Sequence, residues 1–382
     1  MTQSSTYCSL PFRGMQIECD GELKPCCLYK PHLDKNIKQY HISEYKTWWA
    51  EHLKPLRATV LEDKMDPGCS YCFDPATKDH PMKSGADQLF NYSEETSKTP
   101  EWLDIRFGNY CNLKCIMCSP LNSSQIEQEY NNNKSEYNQQ QIFYNSDWKN
   151  FTNRENLKDW WDDEASFQQV VEIVNRAKYI NFSGGEPLMM PALYTLLDAI
   201  SPDCVVTFNT NLTKVSNRAI ESFKKFRSVI VSVSLDGTGA HHEYIRSGAS
   251  WSDIDANIRK VCELNNVTVN FSYLLQHTSV YTWPAMWEYL KPFNRHIMVH
   301  PVYAGTIGDG ILTQDSVTPE DMQKFAEWHN ANSTPYDSEI TNWINSYKFD
   351  PAKHQQYRDY VSMLDRVRGC DFAETFKPSW WM

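Results

Sequence analysis

Cys111, Cys115 and Cys118 stand within Asn109–Pro120, NYCNLKCIMCSP, at the spacing C-x3-C-x2-C. Three soft thiolates that close together suit an iron–sulfur cluster or, less well, a zinc ion. In a cube of four irons, three cysteines leave one iron without a protein ligand. That open iron can take a small molecule.

A second group of cysteines precedes the first. Met15–Cys27, MQIECDGELKPCC, carries an Asp20–Gly21 turn between two short strand-like runs, the signal for a tight hairpin. Cys8 lies before that hairpin, Cys26 and Cys27 end it, and Cys69-Ser-Tyr-Cys72 follows Pro67–Gly68. Cys8, one of Cys26 and Cys27, Cys69 and Cys72 would supply four thiolates. Four cysteines suit a structural zinc site and an iron–sulfur cluster alike. The chain has 12 cysteines, and in a reducing compartment such tight pairs read as metal ligands rather than disulfides.

These residues must be positioned by regular elements. Strand-like runs are Trp102–Phe107, Tyr179–Phe182, Val205–Asn209, Ser228–Ser234, Val267–Leu275 and Ile297–Tyr303. Helix-like runs Phe167–Arg176, Pro191–Ser201, Asn217–Phe226, Trp251–Asn265 and Trp283–Lys291 lie between them. Such alternation implies a parallel sheet wound by right-handed crossovers. In parallel α/β folds chemistry gathers at the C-terminal ends of strands. There the sequence places the three-cysteine loop, then Ser183-Gly184-Gly185-Glu186-Pro187, Asn209-Thr210-Asn211, Ser234-Leu235-Asp236-Gly237, Gln276-His277, and His300 with Tyr303. The chain holds only 14 glycines, which makes the Gly184–Gly185 pair conspicuous. Glycine lets backbone approach a ligand closely, and Glu186 offers an acceptor to a cationic amine.

The reading divides the chain into a small cysteine-rich domain at residues 1–78, a polar, turn-rich linker at 79–100 and a barrel at 101–310. Residues 119–163, dense in Asn and Gln, form an insertion in that barrel, with a helix over Ser123–Tyr130 and the rest lying over its mouth, either as a mobile surface excursion or as a substrate lid. Residues 311–382 form a helical extension, with helices at Thr318–Asn330 and His354–Arg368 and a tail, ending in Trp380–Trp381, expected to pack. In the first domain a single helix is expected from Ser43 to about Leu61, burying Trp48, Trp49, Leu53, Leu56 and Val60.

Composition narrows the function classes. With 41% hydrophobic and 13% aromatic residues the chain is a packed globular one. No basic–apolar leader opens it and no run reaches membrane-spanning length, so a soluble, cytoplasmic protein is expected. A net charge of −11 argues against a general nucleic-acid binder. Lys224, Lys225 and Arg227 form the nearest basic cluster, read as a solvated face or a dock for an acidic electron donor.

The ordered set of motifs resembles the radical SAM superfamily. The resemblance implies a partial (β/α)6 barrel, a [4Fe–4S] cluster on Cys111, Cys115 and Cys118, and S-adenosylmethionine on the open iron. Gly184, Gly185 and Glu186 resemble the family's GGEP motif, which holds the cofactor's amino group. The run from Ser234 to Arg246 is similar to the SxDG…H…R segment of SPASM-type enzymes. It makes Ser234 and Arg246 candidates for the ribose or carboxylate, and Asn209 a weaker ribose candidate. Cys8–Cys72 looks like a SPASM/Twitch domain placed before the barrel instead of after it. That likeness implies one auxiliary iron–sulfur cluster on Cys8, Cys26, Cys69 and Cys72, with Cys19 and Cys27 outside it. Two positions depart from the family: Met117 stands where an aromatic residue is usual, and Leu212 ends the usual Thr-Asn-Gly.

The implied activity is reductive cleavage of S-adenosylmethionine to a 5′-deoxyadenosyl radical that abstracts hydrogen from a substrate. The expected substrate is a peptide or protein, with a nucleoside, sugar or other small metabolite as the alternative, and the expected electron donor is of flavodoxin or ferredoxin type. A non-catalytic zinc-binding interaction protein and an RNA-modifying enzyme are the other classes. His277, His300, Asp236 and Tyr303 are acid/base candidates by position. Cys370 is a candidate hydrogen donor, and Cys204 and Cys262 read as core residues.

Overall fold

Alternating apolar residues set the strands of this computed structural model, which describes residues 7–30, 40–73, 81–93, 95–140, 159–302, 310–332 and 334–376. The strands are β1 (Gly14–Ile17), β2 (Leu23–Lys24), β3 (Trp102–Arg106), β4 (Lys114–Cys115), β5 (Tyr179–Ser183), β6 (Val205–Thr210), β7 (Ser228–Leu235), β8 (Arg246–Ser247), β9 (Val267–Leu275) and β10 (Ile297–Pro301). Eight of them form one mostly parallel sheet in the order β10-β9-β7-β6-β5-β3-β1-β2, and β4 and β8 form a separate antiparallel ribbon. All six strands expected from the sequence are present, joined by the expected helices, as in a partial α/β barrel. Tyr303 and the Trp380–Trp381 tail lie outside the described residues.

By packing, the chain divides into two units. The first comprises Met1–Gly108, Leu157–Asn209 and Ser216–Ile230; the second comprises Asn109–Asn156, Thr210–Val215 and Val231–Met382. In the first unit, Leu103, Ile105, Ile180, Phe182, Val206 and Phe208 line one sheet face and are wholly buried. Phe182 stacks on Phe208 at 5.5 Å, and Phe208 meets Phe223 of the helix Asn217–Lys224 at 5.1 Å. Each such burial stabilises the fold by about 1.5–3 kcal/mol. In the second unit β9 alternates as a half-buried strand should, with Val267, Val269, Phe271, Tyr273 and Leu275 inward. Tyr273 packs on Trp283 of the helix Ser279–Leu290 at 4.8 Å, and its hydroxyl pairs with Thr282 at 2.8 Å.

The cysteine-rich segment is part of the first unit's sheet. The Asp20–Gly21 hairpin forms as expected, with Gly21 at φ +84°. Its first strand, β1, then pairs in parallel with β3 from Gly14↔Trp102 to Ile17↔Ile105. Residues 79–100, read as a linker, contain the helix Pro81–Leu89, in which Ala86 and Asp87 are buried. Asp87 Oδ1 accepts the Ser9 N–H at 2.7 Å and Oδ2 pairs with Lys83 at 2.9 Å, which ties the segment down.

The single helix expected over Ser43–Leu61 is broken. A π turn occupies Trp48–His52, with Leu53 N–H donating five residues back to Trp48, and a new helix runs Lys54–Leu61. Pro55 is the cause. It has no N–H to return to Glu51, and its ring crowds that carbonyl.

Candidate functional site

The three-cysteine loop is built from its own apolar residues. Between the cysteines, Leu113 and Ile116 are wholly buried and anchor the turn, leaving Cys111, Cys115 and Cys118 packed together with Met117. Ser123 caps the helix Ser124–Asn132 at Ile126 N, 3.2 Å away, and donates to Leu113 O at 2.6 Å. Ser124 accepts from Cys111 N at 3.2 Å, and Asn109 Nδ2 donates to Pro120 O at 2.7 Å. The helix Pro351–Arg368 adds Tyr360, whose hydroxyl donates to Ile116 O at 2.7 Å. In the β4–β8 ribbon, Cys115 pairs with Arg246 and Lys114 with Ser247. Gly248, at φ +97°, follows that ribbon; a Cβ there would stand 3.1 Å from Asn112 O.

Two side chains point N–H groups at these sulfurs. Arg246 NH1 lies 3.8 Å from Cys115 Sγ, while its Nε donates to Asp236 Oδ2 at 2.6 Å. Asn211 Nδ2 lies 3.8 Å from Cys111 Sγ. Burial pushes the Cys115 and Cys118 thiols above their ordinary values; Arg246 opposes this at Cys115, and the neighbouring sulfurs add to it at Cys118. Crowded buried thiols of this kind are relieved by a cation that takes them as thiolates. The donor set fits an iron–sulfur cluster.

The second cysteine group also assembles. Cys8, Cys26, Cys69 and Cys72 line one pocket with Leu10, Pro25 and Tyr29. Burial, helped by Asp87, pushes Cys8 up to about 12, and burial with the neighbouring thiols raises Cys26 and Cys69. Cys27 faces elsewhere, toward Asp104, Arg106 and Glu18. Cys19 donates to Gly108 O at 3.4 Å. Among the described residues no three His, Cys, Asp or Glu side chains converge as a preformed single-ion site; the thiols are gathered without closing on one point.

The glycine motif takes a left-handed path, with φ +78° at Gly184 and +55° at Gly185. A Cβ on Gly184 would come within 2.9 Å of Arg106 Cβ. Glu186 is buried, and one of its oxygens accepts Leu188 N at 3.2 Å. Asn209 is exposed at the end of β6 and donates to Asn181 at 3.4 Å, while Ser234 is half-buried on β7. One polar rung crosses the first unit's sheet in register, Gln16↔Asp104↔Asn181↔Thr207. Asp104 Oδ1 accepts from Asn181 at 2.9 Å and Ser183 at 3.2 Å, and burial raises its carboxyl.

The acid/base candidates are differently placed. His277 is buried against Tyr357 with ring centroids 3.6 Å apart, and its Nδ1 meets Ser316 Oγ at 2.7 Å. Burial, with His354 nearby, lowers its pKa well below the usual histidine range, so it stays neutral. His300 is exposed on β10. Asp236 is the buried partner of Arg246, and its Oδ1 also accepts Leu274 N at 3.2 Å. Cys370 Sγ lies 3.3 Å from Asp365 Oδ1; burial and that carboxylate push the thiol up to about 11. Cys204 is buried as expected, whereas Cys262 is half-buried at the end of its helix.

Sequence reasoning missed Asn211, Tyr360, and Asp236 in its role as partner to Arg246. Asn211 and Asp236 carried a signal, as polar residues at strand ends. Tyr360 carried none.

Fold and loop together define an α/β domain that gathers three cysteines on one buried loop. Residues 105–280 match the family model of the Radical SAM superfamily. Among solved structures the chain is similar to native anSMEcpe with bound AdoMet, at 18% identity and a TM-score of 0.42, covering 66% of this chain and 64% of that one. It is also similar to Streptococcus suis SuiB bound to its precursor peptide SuiA, at 13% identity and a TM-score of 0.40, covering 88% and 70%. TYW1 with a lysine–pyruvate adduct is more distant, at 14% identity and a TM-score of 0.32, covering 59% and 70%. The chain thus spans less than two thirds of the anSMEcpe chain, and at these scores the likenesses carry no argument of their own. No relative is found among curated proteins.

Proposed function

We propose that this protein is a radical SAM enzyme acting on a peptide or protein substrate, with a second iron–sulfur cluster in the Cys8–Cys72 pocket. The observation that carries the reading is the three-cysteine loop, with two N–H groups turned to its sulfurs, inside the span that matches the superfamily. A [4Fe–4S] cluster there, with S-adenosylmethionine on its open iron, would supply one-electron cleavage to methionine and a 5′-deoxyadenosyl radical, which takes a hydrogen atom from the substrate.

The chain's own residues do the holding. Leu113, Ile116 and Tyr360 fix the loop on which the three cysteines pack together. Gly184 and Gly185 expose backbone, and Glu186 is the candidate acceptor for the cofactor's ammonium. Arg246, the sequence candidate for a carboxylate contact, is engaged with Asp236 and Cys115, which leaves less of its fork for the cofactor. Cys8, Cys26, Cys69 and Cys72 would hold the second cluster. Among the described residues no helix is long and apolar enough to cross a membrane.

The peptide assignment rests on the resemblance of the Ser234–Arg246 run and the cysteine-rich segment to SPASM-type enzymes. A small metabolite is the second reading. The test is anaerobic incubation of iron-reconstituted protein with S-adenosylmethionine and dithionite, following 5′-deoxyadenosine. Formation is expected from the native chain and abolished when Cys111, Cys115 and Cys118 are changed to Ala. Cluster-loaded protein that forms none would overturn the assignment.

A further inference from the structure

We propose that Arg246 and Asn211 set the reduction potential of the cluster held by Cys111, Cys115 and Cys118, and that Asp236 is the counter-charge limiting the effect of Arg246. This rests on the reading of the loop as a cluster site.

The geometry fixes each donor. Asn211 Oδ1 accepts from Thr213 N at 3.0 Å and Thr213 Oγ1 at 2.7 Å, so its oxygen is spoken for and its NH2 must face the other way. One of those protons goes to Asn112 Oδ1 at 3.1 Å and leaves the other for Cys111 Sγ at 3.8 Å. Arg246 is fixed twice. Its backbone pairs with that of Cys115, and its guanidinium is held by Asp236, so NH1 lies against the sulfur of its own strand partner. The Asp236 side chain is wholly buried and that of Arg246 is 13% exposed, so water screens these charges little.

Reduction adds one negative charge, shared by the cluster and its sulfurs. N–H groups and a cation stabilise that charge more than the oxidised state, which raises the potential. A buried carboxylate nearby does the reverse. The three side chains therefore act with two signs. Each is a positioning residue that acts through a cysteine ligand.

The test is a redox titration of reconstituted protein followed by EPR, reading the signal that is absent when Cys111, Cys115 and Cys118 are Ala. Arg246→Met and Asn211→Asp should each shift the potential down, and Arg246→Lys should recover part of the Arg246→Met shift. Asp236→Asn, which keeps the shape but removes the negative charge, should shift it up. Opposite signs for Arg246→Met and Asp236→Asn are the signature, because mere loosening of the loop would move both alike. Equal potentials across the set, or shifts of one sign, would overturn the proposal. If Arg246→Met holds no cluster, Asn211→Asp against Asp236→Asn decides by the same rule. If the native chain lacks the cysteine-dependent signal, the cluster assignment itself fails, a distinguishable result.

Discussion

Leu212 sits at φ +53°, a left-handed conformation that costs an ordinary L-residue about 1–2 kcal/mol. It stands where the resembling family has glycine, and the backbone keeps the glycine path. The side chain explains the exchange: Leu212 is wholly buried, and its carbonyl accepts Asn257 Nδ2 at 3.0 Å. Burial offsets strain. Leu212→Gly should therefore relieve the backbone and still lose stability, by about 2 kcal/mol net after the buried side chain is removed, read as a lower urea midpoint. A stabilised variant would show that the left-handed strain dominates. At this scale the grouping of Cys111, Cys115 and Cys118 on one loop was legible from their type and spacing. The roles of Asn211 and Asp236 were not, since a carboxamide or carboxylate at a strand end says nothing of which neighbour it meets.

At the scale of elements, strands and crossover helices were legible from alternation of apolar residues, and the Asp20–Gly21 turn from its sequence. The π turn at Trp48–His52 needed Pro55 to be weighed against a good helical stripe. The helix Pro351–Arg368 was foreseen, but its task was not. Besides Tyr360, it sends Arg368 to the buried carboxylate of Glu129, which Arg368 Nε and NH2 contact at 3.1 and 2.8 Å. Lys114, inside the cysteine loop, meets the same carboxylate at 2.7 Å. Burial alone would raise the Glu129 carboxyl, but Arg368 and then Lys114 hold it below 4.5. A carboxyl lowered by folding gives stability that is complete above its unfolded value and is lost as pH falls through the folded one. Arg368→Met should therefore cost about 3 kcal/mol at neutral pH, because a buried charge loses its main partner. It should also flatten the loss of stability below about pH 4.5. Denaturant melts at pH 7 and pH 3.5 check both; an unchanged acid limb would mean that Glu129 is not the group being titrated.

At the scale of the molecule, the parallel sheet and the polar residues at its strand ends were readable because parallel α/β folds leave few topologies open. The attachment of the cysteine-rich segment was not, because a four-residue strand pairing across 84 intervening residues leaves no local pattern. That attachment carries a consequence. β1 covers the edge of β3, and with the preceding Leu10 and Phe12 it buries Met15 and Ile17 almost completely. Arg57 adds to the closure by donating to Pro11 O and Trp49 O, both at 2.8 Å. A chain starting at residue 101 would uncover that apolar surface and leave β3 an unpaired edge, which invites aggregation. Such a truncation should come out insoluble, or soluble without a cooperative thermal transition, whereas the full chain melts cooperatively. A different variant separates this packing from metal binding. With Cys8, Cys26, Cys69 and Cys72 changed to Ser in the full chain, the sheet edge stays covered, so the protein should remain soluble while losing the iron proposed for that pocket. If instead the truncated chain melts cooperatively at the temperature of the full chain, residues 1–100 are detachable and the pairing of β1 with β3 contributes nothing to the fold.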